Sequence, residues 1–567
     1  MDLLAGGSGG HGRLAVHRGL KPQGGRRQSR PLAQHRAHQC MRHQEHFAIR
    51  VEVEAPVAGA LLDRQPVQVA HHRYLGDARV VDVDAAGFAH PGSSHSSLRA
   101  DSTPWRPLCG RMRTDILRGV VQRLGADAPP LNRAPSDPMK PNTDQPVGEE
   151  NLAPAPAAAM TTACVGCHKT FRHGFVPFCD SCGDLVDVDY DLRQVHLLQS
   201  TNPYRRFRDL LPVKDPALLP ADACYTPTRH ARRLGAKLGM SHLYLKNETV
   251  QPSGSTKDRM AAVALAYLWE CGVRSFTTSS TGNSSTAYAR AITRFPGFTM
   301  FLCSASDFHQ RVHIPATEQV VHLVLRDATF VDAFQFAGRF AEEHGLVSER
   351  GFFNPGRREG LKLAWMEAVE QVPEPIDWYV QAVSSAMGVF GTFKAAQQLH
   401  GLKRIPRLPR MLCVQQESCS PMVHAWNEGS ETIQPHHIVA NPSGIAKAIL
   451  RGDPTGAYPR MRRIVQETNG SFTAASEQEI REARRMVEQL EDISPCFSAS
   501  TALAGLIQRV RSGELSRDDT VLVNLTGRDR EPSGQTPPAH WLHRKDGRWI
   551  PEDPTDPVLQ SLWASKR

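Results

Sequence analysis

The chain has 567 residues, of which 40% are hydrophobic and 22% are charged. At about 100–200 residues per domain, this length predicts two to four domains. The sequence contains no run of the roughly 18 apolar residues that cross a bilayer, and its N-terminus lacks the apolar stretch of a signal peptide. These features argue against a membrane or secreted protein and predict a soluble protein in the cytoplasm.

The formal net charge of +9 sits mainly in the first quarter of the chain. Residues 1–138 hold 18 Arg, one Lys and 12 acidic residues, so their net charge is +7. They show no sustained helical or strand periodicity, and such an excess of Arg over Lys is typical of GC-rich DNA read in an unselected frame. We therefore expect residues 1–138 to be an unstructured or mispredicted extension, with translation starting near Met139.

Mass spectrometry of the native protein tests this expectation, since any peptide from residues 1–130 contradicts it. The alternatives are a disordered basic arm that binds polyanions and a His-rich metal tract. Neither explains the scarcity of Lys. Because the case for a nucleic-acid partner rests on this segment and on the cysteines described next, we expect no nucleic-acid partner.

Four of the twelve cysteines have an informative spacing: Cys164, Cys167, Cys179 and Cys182. They form two CxxC pairs, and two such turns supply the four thiolates of a tetrahedral zinc site. Four thiolates leave no open coordination position, so the Zn²⁺ would be structural. A redox dithiol or two unrelated turns is the alternative. The other eight cysteines are predicted to be buried thiols in a reducing compartment: Cys40, Cys109, Cys224, Cys271, Cys303, Cys413, Cys419 and Cys496.

The cysteines divide the chain into segments of different character. Residues 139–160 are rich in Pro and Ala and read as a linker, and residues 161–190 as the zinc ribbon. In residues 191–530, short strand-like runs such as HLYLKNE and DWYVQAVSS alternate with helical runs, which predicts an α/β fold with parallel-rich sheets covered by helices, in two lobes. Residues 531–567 read as an irregular C-terminal tail. We searched the loops after strands, since ligands bind beyond the carboxyl ends of parallel strands.

Three such loops carry candidate chemistry. The first, PSGSTKDRM, places Lys257 at the mouth of a helix, where the helix dipole and desolvation favour the neutral amine. The second, STGNSS, offers hydroxyls and N–H groups to an anion, and the third is a turn of small residues after the strand that ends at Val383. Taken singly, each loop is also typical of an ordinary helix start or turn.

Taken in order, these loops resemble the tryptophan-synthase-β-like family of pyridoxal-phosphate (PLP) enzymes of fold type II. Within it the likeness is closest to threonine synthase and cysteate-synthase-like enzymes, several of which carry a four-cysteine ribbon. The resemblance covers about residues 164–527 and also rests on NPGRREGLK, GIAKAILRGDP and the TGR that follows the last strand. It implies a two-lobed PLP enzyme, often a homodimer.

The resemblance also implies the cofactor contacts. Lys257 would bind PLP as a Schiff base and later remove the substrate α-proton, and Asn283 would hydrogen-bond the 3′ oxygen. Thr526 would face the pyridine nitrogen; a neutral hydroxyl there favours elimination and replacement over transamination. The PLP phosphate would lie in the turn formed by Ser384, Ser385, Ala386, Met387 and Gly388.

The resemblance also implies contacts to the substrate. The substrate carboxylate would be held by Ser280, Thr281 and Ser284. Arg259 would neutralise a second anion, such as a leaving phosphate, or form a structural salt bridge. The chain departs from the family pattern at Ser253, Thr256 and Met260, and Arg528, Asp529 and Arg530 replace an HGLK-like continuation, so these departures put the substrate in doubt.

The sequence therefore predicts a PLP-dependent lyase or synthase. It would eliminate or replace the activated side chain of an amino acid, with O-phosphohomoserine (threonine synthase-like) or O-phosphoserine (cysteate synthase-like) as the substrate. The alternative is a catalytically silent protein of the same fold that acts as a binding or regulatory module.

Overall fold

The computed structural model describes residues 159–172, 174–315, 317–530 and 538–564. The expectations for residues 1–138, for nearly all of the linker, and for Cys40 and Cys109 lie outside these ranges. Within them, no helix combines the length and the apolar character needed to cross a membrane.

The described residues form fifteen strands and thirteen α-helices, besides short 3₁₀ turns. The strands are β1 Met160–Cys164, β2 Thr170–Phe171, β3 Val186–Tyr190, β4 Thr228–His230, β5 Leu243–Asn247, β6 Ser275–Ser279, β7 Thr299–Ala305, β8 Val320–Leu325, β9 Val347–Ser348, β10 Trp378–Ala382, β11 Arg410–Gln416, β12 Ser471–Ala475, β13 Val521–Leu525, β14 His540–Lys545 and β15 Arg548–Pro551. The helices are α1 Pro203–Arg206, α2 Arg232–Leu238, α3 Lys257–Glu270, α4 Asn283–Ala291, α5 Phe330–His344, α6 Pro355–Leu361, α7 Leu363–Gln371, α8 Met387–Gly401, α9 Pro421–Asn427, α10 Tyr458–Glu467, α11 Glu477–Glu491, α12 Phe497–Arg511 and α13 Pro557–Ala564.

The first three strands form a small antiparallel sheet in the order β2-β1-β3. Its first strand begins at Met160, the last residue assigned to the linker, so the ribbon starts one residue earlier than predicted. The carboxylate of Asp187 on β3 pairs with Arg358 of α6 and Lys394 of α8. These buried ion pairs join the ribbon to the helices that follow.

Two six-stranded sheets make up the rest of the fold. The large sheet has the order β12-β11-β10-β13-β5-β4 and is parallel except for β4. The second sheet has the order β15-β14-β8-β7-β6-β9, and its β6, β7, β8 and β14 run parallel. The predicted α/β architecture with parallel-rich sheets is confirmed. Near-continuous apolar strands such as β13, all of whose residues are buried, follow from helices covering both faces.

The C-terminal segment was predicted wrongly as an irregular tail. Strands β14 and β15 form a hairpin whose turn is Asp546–Gly547, with both residues at positive φ, and β14 pairs in parallel with β8. An Asp-Gly pair between two strands favours this kind of tight hairpin turn. Leu542 and Trp549 of the hairpin pack in the core formed by β7, β8 and α5. The segment is therefore part of the second lobe.

Close helix packing fixes the start of α3. At Gly360 of α6, a Cβ atom would lie 2.4 Å from the carbonyl oxygen of Arg259 and 2.9 Å from the Cα of Met260. Only glycine allows the two backbones to approach in this way. The glycines of the NPGRREGLK segment are thus required by packing against the helix that begins at Lys257.

The docking of the C-terminal hairpin is testable by Leu542→Ala. Leu542 is fully buried, so its truncation is expected to lower the free energy of unfolding by about 2–5 kcal/mol. Urea denaturation of the full chain measures the change, with the exposed Leu198→Ala as the matched control, expected within about 0.5 kcal/mol of the parent. Equal stability of the two variants would contradict the position of the hairpin.

Candidate active site

A cavity of about 180 Å³ lies between the large sheet and the second sheet. It is lined by residues at the carboxyl ends of β6, β10 and β13 and at the starts of α3, α4 and α8. Loops from distant parts of the sequence meet here because parallel strands end at one edge. Of the site residues proposed from sequence, the structure brings the following together in its wall: Ser280, Thr281, Asn283, Ser284, Ser384, Ser385, Ala386, Met387, Gly388, Lys257 and Thr526.

Lys257 is the first residue of α3, and it lines the cavity. The loop before it is joined to the end of β13, since the N–H of Thr256 donates to the carbonyl of Thr526 at 2.9 Å. Desolvation, helped by the positive charge of Arg357, lowers the pKa of Lys257 to about 8. About a tenth of the amine is therefore neutral at pH 7, far more than in a lysine with the ordinary pKa of about 10.4, and the neutral form is the one that attacks an aldehyde.

The turn between β10 and α8 forms an anion cradle. Ala386 has a φ of 57° and directs the chain into the first turn of α8, whose N–H groups have no partners within the helix. A Cβ atom at Gly388 would lie 2.5 Å from the amide nitrogen of Gln381, so a larger residue there would have to displace the Gln381 side chain. The turn thus supplies donors and space for a phosphate.

The serine-rich loop holds its own shape. The hydroxyl oxygen of Ser280 accepts hydrogen bonds from the N–H groups of Gly282 and Ser285, at 3.1 and 3.2 Å. Asn283 begins α4, and its carbonyl oxygen Oδ1 accepts a hydrogen bond from Arg530 at 2.6 Å. Ser280 therefore shapes the loop, whereas Thr281 and Ser284 line the cavity without such a role.

The cavity fits PLP. Three buried polar atoms of lining residues have no hydrogen-bond partner in the structure: Ser255 Oγ, Ser279 Oγ and Asn524 Oδ1. Buried polar groups are normally paired, so their isolation indicates a polar ligand. A lysine amine, a phosphate cradle at a helix N-terminus and polar atoms between them are the donor set that a phosphorylated pyridine aldehyde needs.

Arg259 does not line this cavity. Its guanidinium is buried, with Nε 2.7 Å from Glu248 Oε2 and Nη1 2.5 Å from Glu367 Oε1. Of the two roles expected for Arg259, the structure places it in the structural salt bridge. Because both carboxylates occupy the guanidinium, the expected role of Arg259 in binding a second anion is wrong.

Sequence reasoning missed several residues of the cavity wall. Lys447 and Arg451 line it from the segment between β11 and β12, and Arg350 lines it near α6. Phe330 and Phe334 face it from α5. The signal for the first two was present in the GIAKAILRGDP segment, but the resemblance there gave no reason to choose individual side chains.

The four ribbon thiols converge, as the spacing predicts. All four Sγ atoms lie within 4.8 Å of one another, with Cys164 and Cys182 3.4 Å apart and Cys167 and Cys179 3.5 Å apart. Thiolates on one tetrahedral Zn²⁺ are separated by about 3.8 Å, given Zn–S bonds of about 2.3 Å. The cluster is compatible with a zinc ribbon.

The remaining described cysteines are buried in four cases out of six: Cys303, Cys413, Cys419 and Cys496. Cys224 is exposed and Cys271 is half-buried, so the prediction of buried thiols is wrong for Cys224. Cys224 lies just before β4, in a segment without strand or helix.

Fold and cavity together define a two-lobed PLP-dependent enzyme. The profile of the family described as "Pyridoxal-phosphate dependent enzyme" matches residues 222–527, more than half of the chain, which therefore belongs to this family. The chain is similar to threonine synthase of Methanocaldococcus jannaschii, at 27% identity over 65% of this chain and 92% of that protein. It is similar to cysteate synthase of Methanoregula boonei, at 28% identity over 60% and 83%, and to threonine synthase of Mycobacterium bovis, at 30% over 62% and 92%.

The lowered pKa of Lys257 predicts its reactivity. Because the folded pKa lies near 8, acetylation of this amine by acetic anhydride in cofactor-free protein is expected to rise with pH and reach half its maximum near pH 8. Lysines of an unstructured peptide reach half-maximum at about pH 10.4. Mass spectrometry of the peptide that contains Lys257 measures the profile, and a midpoint above pH 10 would contradict a desolvated amine.

Proposed function

We propose that this PLP-dependent lyase or synthase acts on an amino acid whose activated side chain carries a phosphate. The substrate is O-phosphohomoserine, as the likeness to threonine synthases implies, or O-phosphoserine, as the likeness to cysteate synthases implies. Lys257 is the proposed catalytic residue, and the cavity residues predicted from sequence are the proposed cofactor and substrate contacts.

The charge of the cavity carries this proposal. Lys447, Arg451 and Arg350 line it, and among the described residues none of the three has a carboxylate within 4.0 Å. Glu349, an acid of the wall, is already paired with Arg357. A cavity with unpaired cations and a neutralised acid favours a substrate with more than one negative charge.

The proposed chemistry follows from where the side chains lie. PLP, when bound, supplies an electron sink for the electron pair left on the substrate α-carbon. Lys257, whose amine is neutral above about pH 8, takes the α-proton. Thr281 and Ser284 offer hydroxyls to the substrate carboxylate, and the cations of the wall bind the side-chain phosphate until it leaves. Thr526 offers a hydroxyl, and no charge, to the ring nitrogen.

Phosphate release tests the substrate. The purified protein loaded with PLP is incubated with each phospho-amino acid, with water or sulfite as the nucleophile. Release from one of the two is the expected result. If neither releases phosphate while another amino acid is deaminated, the proposed substrate is wrong. Retention of PLP without exchange of any amino-acid α-proton would instead support the silent binding module.

The cationic wall gives a matched test of the same proposal. Lys447→Met is expected to lower kcat/KM for the phosphorylated substrate about 10- to 100-fold, because a charge-assisted contact of about 1.5–3 kcal/mol is lost. Lys237→Met removes one charge from the exposed face of α2, away from the cavity, and is expected to leave kcat/KM unchanged. Equal effects of the two variants would contradict a phosphate subsite at Lys447.

We also propose that the four ribbon cysteines bind one structural Zn²⁺. Metal analysis of the purified protein is expected to give one zinc per chain, and Cys182→Ser to lose it and to lower the unfolding temperature by several degrees. Exposed Ser181→Ala, beside it, is the control. Two oxidisable thiols per chain and no zinc would favour the redox dithiol.

The domain limits and assembly remain proposals. We propose a zinc ribbon over residues 161–190, with its first strand beginning at Met160, and a catalytic region over residues 191–530 completed by the C-terminal hairpin and α13. A homodimer in the cytoplasm stays a prediction from the resemblance. Sedimentation of the purified full chain measures the oligomeric state.

A further inference from the structure

Arg530 bridges the two lobes beside the cavity. It follows β13 of the large sheet, and its guanidinium donates to two groups of the second lobe. Nη1 donates to Asn283 Oδ1 at 2.6 Å, and Nη2 donates to the carbonyl oxygen of Arg311 at 2.8 Å. The bond to Asn283 is short, as expected for a charge-assisted hydrogen bond.

This contact decides which way the Asn283 carboxamide points. A guanidinium carries only donors, so the atom that faces it must be the amide oxygen and not the amide nitrogen. The nitrogen Nδ2 then points away from Arg530, and among the described residues it has no hydrogen-bond partner. Asn283 lines the cavity, so a free N–H donor is available there.

The burial of the Arg530 guanidinium without an ion-pair partner costs free energy of folding. Burial and the neighbouring charge of Arg311 lower the pKa of Arg530, against the weaker opposing charges of Asp258 and Asp529. Within the described ranges no carboxylate lies within 4.0 Å of its guanidinium, and Asp529 is already paired with Arg484. Its Nε is buried without a partner. Two half-buried guanidinium groups without a pairing acid are destabilising, so stability alone does not account for this arrangement.

We propose that Arg530 is a positioning residue that orients the Asn283 carboxamide so that its N–H donor faces the 3′ oxygen of PLP. This inference rests on the proposed contact between Asn283 and the cofactor. With the carboxamide reversed, an oxygen would face the cofactor oxygen, and the two acceptors would repel each other. Arg530 acts through Asn283 and does not itself reach the cofactor.

The neighbours of Arg530 provide a matched control. Arg528 also follows β13 and carries the same charge, but its Nε donates to the carbonyl oxygen of Thr249 at 3.1 Å. Arg528→Met therefore removes one positive charge two residues away and leaves the bond to Asn283 intact. A general effect of charge would appear in both variants, whereas orientation of the carboxamide is lost only in Arg530→Met.

The experiment is a double-mutant cycle on the full chain. Parent, Arg530→Met, Asn283→Ala, the double variant and Arg528→Met are stripped of cofactor and titrated with PLP, and the dissociation constant is measured by absorbance. The ratio of the absorption bands of bound PLP, which reports the proton on its 3′ oxygen, is recorded across pH. Arg530→Ala serves as a second truncation if Arg530→Met does not fold.

Arg530→Met is expected to weaken PLP binding about tenfold in the parent and less than about twofold in Asn283→Ala, because its partner is then absent. The band ratio should shift toward the protonated 3′ oxygen in both single variants, while Arg528→Met stays within about twofold of the parent. An unchanged dissociation constant in Arg530→Met, or an equal loss in both backgrounds, overturns the inference.

Failure of the proposed function gives a different result. Borohydride reduction of the parent with PLP is expected to fix the cofactor mass on the peptide that contains Lys257. If the parent takes up no PLP there, the proposed function fails, and the role of Arg530 fails with it. If the parent is labelled and Arg530→Met behaves like Arg528→Met, the role of Arg530 alone is wrong.

Discussion

The buried pairing of Arg259 with Glu248 and Glu367 is the interaction on which the site depends. Arg259 lies two residues after Lys257, so the same contacts that hold its guanidinium hold the first turn of α3. Lys246 of β5 also pairs with Glu367, at 2.7 Å, which ties the helix to the large sheet. Burial alone would raise the pKa of Glu248, but the charge of Arg259 lowers it to about 2, so the network stays ionised. Removing one partner would leave an uncompensated buried charge.

The approach of α6 to α3 acts on the same helix from the other side. With Gly360 against the backbone of Arg259, no water separates the two helices at this point, and Arg357 of α6 is brought close enough to lower the pKa of Lys257. The packing of α6 on α3 thus both holds the Lys257 amine in position and removes water from it. The amine is held in place by the pairing of its neighbour and made reactive by the packing of α6, so neither feature requires a special residue next to the amine.

The sequence predicts the parts of this structure that depend on local signals. The strand and helix runs around Lys257, Asn283 and Met387 are confirmed, because each loop couples an apolar strand to a helix start within a few residues. The strand-like runs in the sequence do not include β4, β8, β9 or β12, and the prediction of an irregular C-terminal tail misses the hairpin. In the hairpin, polar residues outnumber apolar ones, and the segment is stabilised by the packing of Leu542 and Trp549 against β7, β8 and α5, which lie more than 190 residues earlier in the chain. Likewise, the partners of Arg259 lie 11 and 108 residues away, and only the fold brings them together.

The contrast between local sequence signals and contacts made only in the fold also distinguishes the cofactor contacts of the cavity from its substrate contacts. The proposed cofactor contacts lie on loops that directly follow strands, where a short motif determines both the residue and its position. The lining cations Lys447 and Arg451 come from a long segment with little regular structure, where sequence likeness does not determine the position of individual side chains. Arg530 belongs to neither group, since it reaches the cavity only through Asn283. At 27–30% identity, likeness to the family is enough to infer the cofactor and its chemistry. The substrate must instead be inferred from the individual side chains that line the cavity, such as Lys447 and Arg451.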